Sequence, residues 1–207
     1  MSTDPAWLIE RVARSQAELD RSLDGVREPV LRAPSTLPGW SRAHVLAHLV
    51  GNATAMSEMF EGYAGGRDVT QYGGSPELRE ADIQSLSALT VGELTARVRD
   101  SGARCLAAYR GMPDWSGSLQ WLSGRRPAPA GPISRWREIE IHRIDLDLGY
   151  SVADWSAEFV DFHLARELPR LTARAPHQAV PDLPPAQLLG WLVGRGAPGL
   201  PPLPPWG

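Results

Sequence analysis

The sequence predicts a mainly α protein in which the chain up to residue 150 reads as a helical bundle. Apolar residues recur at helical spacing in successive long segments, most of these segments open on a capping signal, and the connections are short apart from one long loop. A chain of 207 residues, 43% hydrophobic and 22% charged, can bury one good core, or one core with a small appendage.

The elements follow in order. DPAWLIERVARSQAELDRSLDGV has Asp4 as N-cap and Pro5 at the first helical position, with Leu8, Val12, Leu19 and Leu23 at near-helical spacing. LPGWSRAHVLAHLVGNATAMSEMFEGYAGG turns at Pro38-Gly39, caps at Ser41 and carries apolar residues from Val45 to Phe60 before Gly65-Gly66 stops it. That second helix is about six turns long. SPELREADIQSLSAL has a Ser-Pro start, and TVGELTARVRDSGARCLAAYR opens on a capping box of Thr90 and Glu93, so two further helices follow. GMPDWSGSLQWLSGRRPAPAGP, rich in Pro and Gly, is expected to be loop. Beyond Tyr150, SAEFVDFHLARELPRLTAR and PPAQLLGWLVGRG are expected as helices, and APGLPPLPPWG as an extended tail resembling polyproline.

Composition excludes several functions. A net charge of -3 and a pI near 6.0 argue against general nucleic-acid binding, which wants a basic footprint. No apolar run approaches a membrane span, and MSTDPAWLIERVARSQ is too polar for a signal peptide, so a cytoplasmic protein without membrane partners is expected. The single Cys105 can form no internal disulfide, fits a reducing compartment and reads as a small buried hydrophobe. All 21 basic residues are Arg, a bias that points to a GC-rich genome before any function.

Chemistry concentrates in WREIEIHRIDLDLGY, residues 136 to 150, where an acid at Glu138 and an imidazole at His142 stand four apart among Ile and Leu. The period is ambiguous: Ile139, Ile141, Ile144, Leu146 and Leu148 partly alternate as in a strand, while Ile133, Trp136, Ile141, Ile144 and Leu148 partly fit a helix. On a helix Glu138 and His142 share a face with Cβ atoms ~6 Å apart, and Asp145 continues that face. On a strand the two would lie ~13 Å apart, too far to hold one ion. The second helix repeats the device with His44, His48 and Asn52, and one of its histidines could supply a third ligand. Two nitrogens and a carboxylate oxygen are a donor set that zinc accepts, with a fourth position open. A surface salt bridge accounts equally for the Glu138–His142 spacing, and a lone helical histidine is more often exposed or a hydrogen-bonded core residue than a ligand.

LPGWSRAHVLAHLVGNA, followed about ninety residues later by RWREIEIHRIDLDLGY, resembles the mycothiol-dependent maleylpyruvate isomerase family of DinB-like metal-binding helical bundles. The resemblance extends over QYGGSPELREADI and into LLGWLVGRGAPGLPPLPPWG. It implies a DinB-like four-helix bundle over 1–155 and a reduced C-terminal region over 156–207, where the family's small sheet has room for a strand at most. It also implies His48, Glu138 and His142 as ligands of a zinc or other divalent ion, with His44 a neighbour. Arg79 and Arg195 stand where the family has arginines, and become candidate contacts for a dianionic substrate. Trp40 and Asn52 are candidates to line the cavity that takes the thiol.

The implied reaction is thiolate addition to the cis double bond of maleylpyruvate or a related cis-enoyl acid, rotation, and elimination to the trans isomer. Mycothiol would serve as thiol cosubstrate, in a monomer or homodimer. A mycothiol S-transferase, acting on an electrophile in detoxification or natural-product assembly, shares the same zinc site. A non-catalytic bundle in which Glu138 and His142 form a structural pair is the third reading.

Overall fold

The protein, described here from a computed structural model over residues 3–203, divides within them into two compact units, the larger ending at Leu148 and the smaller beginning at Gly149. In the larger unit the capping signals act where the sequence sets them. Asp4 accepts the Trp7 N–H at 3.3 Å and starts α1, Pro5–Ser22. After a five-residue helix that the sequence did not announce, α2 at Glu28–Arg32, Ser41 caps α3, Arg42–Ala64. Ser75 caps α4, Pro76–Ser87, and the reciprocal Thr90–Glu93 box caps α5, Val91–Arg110.

The 136–150 stretch resolves as helix as far as Asp145, where α6, Ala130–Asp145, ends, and as turn beyond it. Tertiary burial decides this, because Trp136, Ile139 and Ile141 all find the core while the helical period also buries Arg135 and Asp145. α1 packs on α5 and α6, and α3 packs on the same two helices, so the four close into a ring with α4 laid against α3. Val45, Leu46, Leu49, Met56, Met59 and Phe60 are all buried, and α3 is apolar around most of its circumference because it has neighbours on several sides.

The expectation of loop over residues 111–132 needs correction. A hairpin stands there, with β1 at Ser118–Trp121 paired antiparallel to β2 at Gly124–Pro127 through a two-residue turn, Gly124 taking φ +106°. Each strand has four residues and β2 is Arg-rich and mostly exposed, so no apolar alternation marks it. Leu119 and Trp121 are its buried anchors.

The smaller unit contains α7, Ala157–Arg174, and α8, Pro185–Leu192, packed on each other around Leu171, Trp191 and Leu192. The Trp191 indole N–H donates to the Pro201 carbonyl at 2.7 Å and ties down part of the following segment. No strand is present in this unit among the described residues. The last four residues of the tail read as extended, 204–207, lie outside the described residues.

Candidate metal centre

Two helices of the ring supply the site. Position 48 lies two turns into α3, and positions 138 and 142 lie one turn apart on α6, so the α3–α6 contact brings an imidazole onto an acid–imidazole pair. His48 Nε2 is 2.9 Å from Glu138 Oε2, and His142 Nε2 is 3.4 Å from the same oxygen. One ligand atom from each of His48, Glu138 and His142 lies within 4.8 Å of the others. A tetrahedral ion with bonds of about 2.0–2.1 Å separates its ligands by roughly 3.3 Å, a spacing that the two nitrogen–oxygen distances bracket. The two imidazole rings meet edge to face with centroids 4.6 Å apart.

Surrounding groups fix the donors. His142 Nδ1 donates to Asp145 Oδ2 at 2.8 Å, which leaves Nε2 facing the centre. The Asp145 side chain is fully buried, and its other oxygen accepts the Thr36 hydroxyl at 3.0 Å. This carboxylate–histidine relay is the arrangement that orients metal-ligating imidazoles. Arg79, from α4, places a guanidinium nitrogen 3.0 Å from His48 Nδ1. A guanidinium can only donate, so Nδ1 accepts and Nε2 carries the proton given to Glu138. An ion on Nε2 requires the opposite tautomer, with the proton on Nδ1, and so requires Arg79 to let go.

Electrostatics follow from this packing. Burial, then the neighbouring His142 charge, push His48 down to about 4 despite Glu138. Burial would raise Glu138, but hydrogen bonds from His142 and His48 hold it well below the usual carboxylate range. Burial works against charge on His142 too, and there Asp145 and Glu138 prevail and raise it. The site is one anion shared by two imidazoles, one neutral and one inclined to hold a proton.

The remaining candidates fall in different places. His44, one turn before His48, stays at its own helix start: its Nδ1 lies 2.7 Å from the Ser41 hydroxyl and accepts the Ser41 N–H at 3.3 Å. Trp40 sits with its ring 6.0 Å from that of His48. Asn52 is buried, and its Oδ1 accepts from Arg135 at 2.9 Å. Arg195 belongs to the smaller unit, where its guanidinium donates to the Val193 carbonyl at 3.1 Å.

Two residues that the sequence reading passed over belong to this neighbourhood. Tyr72, in a 3-10 turn at Gln71–Gly74, takes the left-handed φ of +53°, and its ring lies 6.0 Å from the Arg79 guanidinium. Burial and the Glu138 charge raise its hydroxyl, against opposing contacts from Arg79 and Asn52. Arg135 is 1% exposed and donates to Leu49 O, Asn52 Oδ1 and Gln16 Oε1 at 2.9, 2.9 and 3.1 Å. These acceptors lie on α1 and α3, distant in sequence, so no spacing within α6 announces them.

The family model described as the mycothiol maleylpyruvate isomerase N-terminal domain matches residues 12–147. Among solved structures, the chain resembles a mycothiol-dependent maleylpyruvate isomerase with a TM-score of 0.86 at 24% identity, and a histidine-to-alanine mutant described by the same name with 0.85 at 23%. Each superposition covers 99% of this chain and 99% of the other, so the likeness of fold includes the smaller unit. No curated protein matches the chain.

Proposed function

The chain belongs to the mycothiol maleylpyruvate isomerase N-terminal domain family, and on that premise we propose that it is a zinc- and mycothiol-dependent cis–trans isomerase acting on maleylpyruvate or a related cis-enoyl acid. The observation that carries the proposal is the His48–Glu138–His142 triad with donor atoms within 4.8 Å. A zinc ion held by these residues would keep a coordinated thiol in its thiolate form.

The protein's own residues have separate tasks in that reading. Asp145 and Thr36 hold the His142 ring in one orientation, and Glu138 supplies the anion between the imidazoles. Arg79 offers two parallel N–H donors to a substrate carboxylate once it leaves His48, and so links loading of the site to substrate capture. Trp40 and Asn52 are proposed as lining for the thiol. In the reaction a C–S bond forms at one carbon of the cis double bond while its π pair moves toward the adjacent carbonyl. The former double bond then rotates. Return of the electron pair breaks the C–S bond, restores the thiol and leaves the trans product, with no net consumption of thiol.

The test is a spectroscopic assay of maleylpyruvate conversion with zinc-loaded protein. Conversion is expected only with mycothiol present, with the thiol recovered at each turnover and glutathione a poor substitute. Arg79→Ala is expected to raise the substrate KM about tenfold and leave bound zinc unchanged, as loss of a charge-assisted contact requires. Stoichiometric loss of mycothiol to another electrophile, with maleylpyruvate ignored, would make the protein a mycothiol S-transferase instead.

A further inference from the structure

A cleft of about 630 Å³ opens between α3, α4 and α5, beside the triad and separate from it. Gly51 and Glu58 on α3, Tyr72, Asp82 on α4, and Arg97 and Asp100 on α5 form its walls. No role is assigned to it by the isomerase reading, which uses the triad, Arg79, Trp40 and Asn52.

Three features give the cleft a direction. Gly51 and Glu58 follow His48 on the same helix at spacings of three and ten, so the cleft begins ~5 Å from the triad's level and runs to ~15 Å along the axis. Where it begins, its wall is Tyr72, whose strained backbone sets the ring between the cleft and Arg79. Gly51 keeps this junction open without being needed for packing, since a Cβ there would meet only Tyr72 Cε1, at 3.9 Å.

The chemistry of the walls selects an occupant. Glu58, Asp82 and Asp100 outnumber Arg97 and Arg104, and Arg104 is already bonded to both oxygens of Glu61 at 2.9 and 2.6 Å. A dianionic substrate is repelled by such a surface. A neutral polyol is suited to it, because hydroxyls donate to carboxylates and accept from guanidinium groups.

We propose that this cleft binds the sugar portion of the thiol cosubstrate, its cysteinyl arm passing Gly51 and Tyr72 to bring sulfur to the triad. The inference rests on the mycothiol reading above and adds the place where the thiol is recognised. It explains discrimination between thiols, since a thiol without sugars can reach the triad but leaves the cleft wet.

The experiment is calorimetric titration of the zinc-loaded full chain with mycothiol and, separately, with N-acetylcysteine, which lacks the sugars. Wild type is expected to bind mycothiol at least about tenfold more tightly than N-acetylcysteine. Gly51→Leu, a change that favours helix and projects a side chain into the junction, and Asp100→Ala, on an exposed wall, are each expected to weaken mycothiol about tenfold. N-acetylcysteine affinity in Asp100→Ala, and zinc content in both, should stay as in wild type. Unchanged mycothiol affinity in both variants overturns the cleft and leaves the isomerase reading intact. Failure of wild type to bind mycothiol at all overturns that reading, and the cleft's role with it.

Discussion

α6 carries two acids two residues apart, Glu138 and Glu140, and their surroundings make them opposites. Both are drawn in from solvent, Glu138 with a side chain 21% exposed and Glu140 with 8%. Glu140 turns toward α1, where it accepts from the Ser15 hydroxyl and from Arg143 at 3.3 Å, while Arg143 also reaches Glu18 at 2.8 Å. Its partners are a hydroxyl and a cation that satisfy it, and the guanidinium has no lone pair to give a metal. Glu138 turns toward α3 and meets two imidazoles, which can exchange a proton for an ion. Burial of an acid therefore does not identify a site. The donors that face it do.

The largest expected effect separates the two acids by chemistry. Glu138→Gln is expected to lose tightly held zinc and with it ~10³-fold or more in activity, the scale of losing a metal's contribution, whereas Glu140→Ala retains stoichiometric zinc by elemental analysis. Equal zinc in both proteins would break the comparison.

The next effect runs the other way. Glu140→Ala removes the buried acceptor of the Ser15 hydroxyl and of Arg143, which keeps Glu18, and is expected to destabilise the fold by ~3 kcal/mol in denaturant titration. Glu138→Gln should cost the metal-free protein much less, because the amide still accepts a hydrogen bond from His48.

Chelation sharpens the same contrast without mutation. An ion binding only the folded chain at a hundred times its Kd adds ~2.7 kcal/mol, so stripping zinc from wild type should lower the melting temperature by roughly 5–10 °C. In Glu138→Gln the chelator should produce no shift. A shift of equal size in both would place the ion elsewhere.

The smallest effect concerns the two histidines of α3. His44→Ala removes an acceptor for the Ser41 N–H and should cost about 1 kcal/mol with zinc retained, while His48→Ala loses zinc. Zinc loss from His44→Ala would move the ligand one turn toward the helix start.

What the sequence made legible is what short-range physics controls. Asp4, Ser41, Ser75 and the Thr90–Glu93 box each satisfy N–H groups within a few residues of themselves, so the starts of α1, α3, α4 and α5 could be read directly. The Glu138–His142 spacing was legible for the same reason, once helix was granted. Helix itself was not decidable between residues 136 and 150, because Ile139, Ile141 and Ile144 serve either period, and the choice came from burial against α1 and α3. The hairpin at Ser118–Pro127 escaped because its anchors are two residues, Leu119 and Trp121, held by a core distant in sequence.

By itself, then, the sequence determined a capped helical bundle, an acid–imidazole pair, and through its resemblance a family. Only the tertiary structure turned His48 toward that pair and His44 back upon its own cap. Likewise it alone set Arg79 on His48, anchored Asp145 to Thr36, and opened a cleft beyond Tyr72. Each of these depends on the rotation and offset of one helix against another, which are fixed by the packing of the whole core and leave no mark in the spacing along a single segment.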